Sequence, residues 1–372
     1  MAPRRLVSIA HSYCVGLNRR LAHELARAGA GRWEVTAVAP SSFAGELGQI
    51  DLRPEPGEPC RLEAVPAYLS RRIHLMFYGW RLREILSRNW DMIHCWEEPY
   101  VTAGAQVALL APARIPFVFW TAQNLSKTYP PPFRWFEGYC VHRASGWLAC
   151  GQSTVNAMVS RGYGAKPHRV APLGVDLEVF SPEPRQDAAG PPVVGYLGRF
   201  IHDKGVRLLM RALDGVPSSW RALFVGGGPL ERELRAWASR YGDRVRIVTG
   251  VPHNEVPLWL RRMDLLCAPS QTMPSWREQQ GRMIVEAFAC GLPVLASDSG
   301  EIPFVVGDAG LVLPEASVES WTRAIDQLIQ DPSARREWGN RGLDRARGKF
   351  AWPAIARDQL SFFESLLDAP SR

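Results

Sequence analysis

Glu278 and Glu286 stand eight residues apart in the stretch EQQGRMIVEAFACGLPV, residues 278 to 294. A carboxylate can accept two hydroxyl protons at once, so it suits a sugar or a ribose. A helical rise of 1.5 Å per residue would set the two carboxylates on the order of 10 Å apart. The amides at the start of that helix, from Gln279 to Arg282 beside Gly281, would face an anion lying between them. The same spacing also fits a first-turn acid followed by a helix-surface acid, and spacing alone leaves both readings open.

Two further segments carry groups that suit a diphosphate. VGYLGRFIHDKG, residues 194 to 205, runs from an apolar strand into Gly198, Arg199 and Lys204. LFVGGGPLEREL, residues 223 to 234, ends a strand in Gly226, Gly227 and Gly228, with Pro229 at the first turn of a helix. Glycines at a strand end let a ligand approach the backbone closely. Neither segment is a Walker loop or a G-x-G-x-x-G fingerprint. Each is weak alone; two cations and a glycine turn at neighbouring strand ends read as a diphosphate clamp. His202, inside the first segment, is either part of that clamp or an ordinary loop residue. No D-x-D sequence occurs, so a bound divalent metal is not demanded.

The elements that must position these groups alternate strand and helix. Leu6 to Ala10, Trp33 to Ala39, Asp91 to Cys95, Pro116 to Trp120 and Gly146 to Ala149 read as buried strands. Helices are predicted over 17–28, 75–87, 102–110, 133–143 and 153–162. A second series follows, with strands at 193–197, 221–225, 245–248, 263–268 and 293–297, and helices at 205–213, 229–241 and 282–289. PEPRQDAAGPP, residues 182 to 192, lacks apolar periodicity and reads as a linker. The expected architecture is α/β, with two Rossmann-like doubly wound domains facing a cleft. The boundaries are 1–180, a linker at 181–192, 193–348, and a terminal segment at 349–372.

With 372 residues and 46% apolar composition, the chain can form two cores. Its net charge of +7 favours anionic partners without choosing among them. Seven widely spaced cysteines, with no C-x-x-C pair, argue against a disulfide framework or a zinc cluster and for a reducing cytoplasm. MAPRRLVSIA reads as a first strand rather than a secretion signal, and no 18-residue apolar run is present.

These segments resemble the retaining glycosyltransferases of family 4, which share the GT-B fold and an E-x7-E motif. The marks stand in order: GRF…KG at 198–205, VGGGPL at 225–230, APS at 268–270, the E-x7-E motif with GLPV after it, and Gly300-Glu301. GVDLEVFSP at 174–182 and FAWPAIARDQL from Phe350 resemble the family's lead into the linker and its terminal return to the first domain. The resemblance covers most of the chain and is looser between Pro40 and Tyr78. It implies that Arg199 and Lys204 bind the donor diphosphate, Glu278 the transferred sugar and Glu286 the ribose. It also implies that Gly16 approaches the phosphate or the acceptor, and that the backbone at Val251 flanks the base. Gly198, Gly227, Gln280, Gly281 and Arg282 complete the expected donor site.

The reaction so implied moves a glycosyl unit from a nucleoside diphosphate to an acceptor hydroxyl with retention. The expected route is front-face and needs no metal. Two positions depart from the family. Gln123 in FVFWTAQN stands where a histidine is common; it can position a hydroxyl but cannot do acid–base work. Gln280 stands where phenylalanine is common.

Within IHCWEEPY, residues 93 to 100, Glu98 is an acceptor-side candidate, and His94 and Glu97 are either site or packing residues. His11, after the first strand, is a similar candidate. The basic aromatic segments 70–83 and 127–143 fit either an anionic membrane surface or ordinary amphipathic elements. Expected partners are therefore a nucleotide sugar, an acceptor glycan, lipid-linked sugar or small molecule, and an anionic membrane surface. That would place the chain in the cytoplasm, at the inner face of the membrane. The alternatives are a transferase for a soluble acceptor, a phosphorylase-like enzyme (for which no pyridoxal lysine motif is found), and a non-catalytic sugar- or nucleic-acid-binding protein. The basic residues are scattered and form no nucleic-acid recognition module.

Overall fold

A computed structural model describes residues 2–45, 48–183 and 190–368. The chain divides into two compact units, Met1–Pro172 with Trp352–Arg372, and Leu173–Ala351. The first break therefore falls before residues 173–180, which the sequence assigned to the first domain. Val175 explains the difference: its amide bonds to the Phe350 carbonyl (2.8 Å) and its side chain joins the core of the second unit. Residues 184–189 of the expected linker lie outside the described residues.

The first unit holds a seven-stranded parallel sheet. Its order is His168–Val170, Gly146–Ala149, Phe117–Thr121, Met92–Cys95, Arg4–Ile9, Trp33–Pro40 and Arg61–Val65. The strand order reverses at Arg4–Ile9, which lies between Trp33–Pro40 and Met92–Cys95. In open parallel sheets ligands gather beyond the strand ends at such a reversal. The residues leaving that point are His11 to Gly16 and Trp96 to Glu98.

The second unit repeats the plan with six parallel strands: Val245–Val248, Arg221–Gly227, Val193–Arg199, Leu265–Ala268, Val294–Ser297 and Leu311–Leu313. Its reversal lies at Val193–Arg199, and the segments leaving it carry Arg199 to Lys204 and Pro269 to Glu278. Both sheet faces are covered. Leu223, Val225, Leu266, Val294 and Ala296 enter one apolar cluster; Ala222, Phe224, Leu265, Cys267 and Leu295 enter another. Alternate residues of one strand thus feed two cores, as the two-residue side-chain period requires.

Two expected elements are corrected. The helix predicted over 75–87 is a 3-10 turn at Ile73–Leu75, a short strand at Phe77–Tyr78 and a helix only over Arg81–Leu86. Phe77–Tyr78 pairs with Ala67–Tyr68, and Tyr78 exchanges two backbone hydrogen bonds with the Gln106 side chain. Long-range pairing overrides local helix preference here. The helix expected over 229–241 is Glu231–Ala238 followed by a 3-10 turn. The seven cysteines are all free and buried.

Trp321 is fully buried in the second unit, whereas Trp80 is 70% exposed on the first. Trp321→Ala is expected to cost about 3–5 kcal/mol in a urea titration. Trp80→Ala should stay within about 0.5 kcal/mol.

Candidate active site

In the second unit the sequence-predicted donor residues converge on Glu278. Its side chain is buried, and a buried carboxylate needs compensating partners. Lys204 Nζ lies 2.5 Å from Glu278 Oε2. The Ser270 hydroxyl donates to the same oxygen at 2.8 Å, and the Gly281 amide donates to Oε1 at 3.2 Å. One sequence-distant lysine and two groups from the flanking loop and helix start thus fix one carboxylate. Lys204 also lies 4.8 Å from the centre of the Trp276 ring, a cation–π contact.

Glycine makes the seat possible. Gly281 caps the helix Arg282–Ala289 with a left-handed φ of +74°, which turns the chain from the loop into the helix. At Gly300, a Cβ would lie 2.2 Å from the Glu278 carbonyl oxygen. That same oxygen accepts the Glu301 amide at 2.9 Å. So the Gly300-Glu301 mark is a backbone brace for Glu278.

Arg199 ends its strand opposite Gly227, with Gly198 opposite Gly226. Its side chain is exposed and forms no ion pair among the described residues. A Cβ at Gly227 would meet nothing within 4 Å, so the backbone there is open. His202 begins the 3-10 turn His202–Lys204 and is exposed.

Glu286 is buried near the far end of the short helix. Arg282 Nε lies 3.0 Å from its Oε1, and His253 Nε2 lies 3.4 Å from the same oxygen. Burial pushes the Glu286 carboxyl up to about 7, against the opposing pull of the Arg282 guanidinium. Burial, with Arg282 beside it, lowers His253 to about 4. His253 was not singled out in the sequence. The signal was its place two residues after Val251, which brings that segment to the Glu286 end of the helix.

Gln280 is buried and clipped to the chain itself. Its Oε1 accepts the Leu173 amide and its Nε2 donates to the Leu173 carbonyl, both at 2.7 Å. The side chain that replaces the expected phenylalanine therefore anchors the first residue of the second unit.

In the first unit, Gln123 is turned toward its own loop. Its Nε2 donates to the Tyr129 hydroxyl at 2.6 Å and its Oε1 accepts the Leu125 amide at 2.9 Å. Glu98 accepts the Thr121 hydroxyl at 2.6 Å and the Ala122 amide at 2.8 Å. Burial nevertheless pushes its carboxyl up to about 7. Gly16 opens the helix Gly16–Ala28, and a Cβ there would meet the Glu55 carboxylate at 2.2 Å.

His94 is a core residue. Its Nδ1 shares a 2.9 Å hydrogen bond with Ser8 Oγ, its ring lies 5.4 Å from Phe363, and burial lowers it to about 3. Glu97, by contrast, organises a cluster. It accepts the His11 amide, His11 Nδ1 and the Tyr78 hydroxyl, each at 2.6 Å.

Among the described residues one group has metal-ligand atoms close together: His23, Glu58 and Cys60, within 4.8 Å of one another. Arg19 already lies 2.8 Å from Glu58, and His23 Nε2 shares a 2.7 Å bond with it. A guanidinium there accounts for the carboxylate without a metal.

Two family descriptions match the chain. Residues 18–179 match "Glycosyltransferase Family 4" and residues 181–345 match "Glycosyl transferases group 1". The chain is 34% identical over 199 residues to a GDP-mannose-dependent alpha-(1-6)-phosphatidylinositol monomannoside mannosyltransferase of Mycolicibacterium smegmatis. That match covers 49% of this chain and 52% of the relative. It is 34% identical over 220 residues to the lipopolysaccharide core mannosyltransferase LpcC of Rhizobium leguminosarum, covering 54% and 60%. The chain thus spans about half to three-fifths of the length of these curated relatives. Among solved structures, sucrose-phosphate synthase from Thermosynechococcus elongatus superimposes with a TM-score of 0.71 at 21% identity, covering 98% of this chain and 99% of that one. The two parallel, helix-flanked sheets are those of the GT-B fold. The two halves of the chain are thus similar to family 4 nucleotide-sugar transferases, one description to each half.

Gln280→Ala should strand two Leu173 backbone groups and lower unfolding stability by about 1–3 kcal/mol. A denaturant titration of the full chain checks this.

Proposed function

We propose that the chain is a retaining glycosyltransferase that moves a hexose from a nucleoside diphosphate to an acceptor hydroxyl in glycolipid or polysaccharide assembly. The observation that carries this reading is the Glu278 seat, with Lys204, Ser270 and the Gly281 amide around one buried carboxylate. A nucleoside diphosphate fits the groups along this edge of the second unit. Arg199 and Lys204 supply cations, Glu278 accepts hydroxyls of the hexose, and Glu286 accepts hydroxyls of the ribose. Gly198, Gly227, Gly281 and Arg282 line the diphosphate, and Val251 lies beside the base.

The step breaks the bond between the anomeric carbon and the diphosphate oxygen and forms one from the same face to the acceptor oxygen. The acceptor proton passes to the departing phosphate, so no protein nucleophile is needed. Lys204, Arg199 and the amides at the helix start stabilise the charge that develops on the diphosphate. Without a D-x-D pair, metal is not part of this reading. Gln123 serves the first unit by shaping its loop, and Glu98 stands beside it at the acceptor side.

Both named relatives are mannosyltransferases, and one depends on GDP-mannose, so guanine nucleotides head the donor screen. The acceptor is a lipid-linked or glycan hydroxyl, with a soluble small molecule as the second reading. The seven free, buried cysteines support a reducing cytoplasmic setting, and the exposed Trp80, Tyr68 and Leu69 support contact with a membrane surface. No helix among the described residues is long and apolar enough to cross a membrane.

Titration calorimetry with GDP, UDP, ADP and TDP tests the donor reading. One nucleotide should bind selectively, and Lys204→Ala should weaken it at least tenfold. No selective binding would overturn the reading. The product anomer, read by NMR coupling constants, should match the donor; inversion would reject the front-face route.

A pH dependence should accompany nucleotide binding. Ribose hydroxyls donate to an ionised Glu286, whose folded pKa is raised to about 7. Below that pH the protonated carboxyl is the poorer acceptor, so affinity should rise as pH climbs through about 7. Glu286→Gln should flatten that rise.

A further inference from the structure

The first unit contains a recess of about 660 Å³ at its strand reversal. His11, Phe43, Ala44, Gln49, Ser70 and Arg71 are among the residues that line it. The geometry points to this recess as a binding site for an anionic oxygen group of the acceptor, a phosphate ester, held by His11 and Arg71. This inference rests on the transferase reading above and names the acceptor class that its first unit would take.

The wall is built to present positive charge. Glu97 is buried behind His11 and binds both its backbone amide and its Nδ1, which leaves Nε2 as the ring nitrogen not engaged by that carboxylate. Tyr78 completes the seat by donating to Glu97. The imidazole is therefore oriented by a carboxylate that is itself fixed on two sides, a geometry that prepares a donor. Burial alone would lower the His11 pKa; the charge and hydrogen bond of Glu97 outweigh it and raise it.

Arg71 is exposed, lines the same recess and makes no ion pair among the described residues. A planar guanidinium suits phosphate oxygens. Ser70 Oγ accepts the Ala44 amide at 3.2 Å, which leaves its own proton to donate. Leu69 precedes them with a left-handed φ of +56°, a conformation uncommon for a non-glycine residue. Asp51, two residues beyond the lining Gln49, accepts the Gln49 side-chain amide at 3.1 Å. Phe43, whose ring lies 5.1 Å from that of His11, gives one side of the recess an apolar face for a sugar or polyol ring.

The test follows the His11 ring signals of the full chain by NMR, with assignment by His11→Gln. Inorganic phosphate, glucose 1-phosphate and glycerol 3-phosphate are titrated against unphosphorylated glucose. Phosphate compounds should shift the His11 signals saturably at millimolar concentration, and glucose should not. Arg71→Ala should weaken that response at least tenfold, and Arg71→Lys should restore part of it. The response should fade as pH rises and His11 loses its proton; among the described residues Glu97, Tyr78, Arg71 and Asp51 are the charged or titratable groups named around it.

Vesicles of anionic phosphatidylglycerol and neutral phosphatidylcholine form a second arm. Competition with phosphate by the anionic vesicles alone identifies a lipid headgroup as the source; its absence identifies a soluble phosphate ester. An unsaturable or phosphate-independent His11 response, or one unchanged in Arg71→Ala, overturns the inference. Nucleotide binding by the same variants separates the two readings. It should be unaffected by Arg71→Ala, and its loss in the unaltered chain would instead reject the donor site.

Discussion

The compensation of one buried carboxylate, Glu278, organises the second unit. An uncompensated charge in that position would cost several kcal/mol. The fold meets the cost by bringing Lys204 from one strand end, Ser270 from the next and the Gly281 amide to the same group. The parallel sheet makes this convergence possible, because adjacent strands Val193–Arg199 and Leu265–Ala268 release their loops on the same side. Gly300 then packs flush on the Glu278 backbone, so the carboxylate is held by its main chain as well as by its side chain.

The first unit solves a related problem with different residues. Glu97 is as deeply buried as Glu278, and it too is satisfied from separate segments: His11 after the first strand, and Tyr78 from a short hairpin. Each reversal point thus carries a fixed carboxylate. In one unit the partner is a lysine. In the other it is a histidine, whose charge depends on pH. That contrast gives the two sites distinct electrostatic characters within a shared sheet plan.

Residues that looked like chemistry in the sequence divide by what their polar atoms reach. Gln123 and Gln280 both stand where the related family commonly has another residue. In both, the amide is engaged by the chain: Gln123 by Tyr129 and Leu125, Gln280 by Leu173. His94 is likewise a packing residue. His253 emerged only from the tertiary structure; its one sequence signal was its place two residues after Val251.

The sequence by itself determined the alternation of strands and helices, the two-sheet plan, and the glutamate spacing along one helix. These are short-range properties, set by two-residue and 3.6-residue side-chain periods and by glycines at strand ends. It did not determine that residues 75–80 would form a turn and a strand rather than a helix, because pairing with Ala67–Tyr68 and Gln106 lies outside any local window. Nor did it separate Glu97 from Glu98, or His11 from His94. Neighbouring residues of one type differ in role according to which side chains from distant segments meet them. The tertiary structure decided that when it closed Tyr78 and His11 onto Glu97 and placed His94 against Ser8 and Phe363.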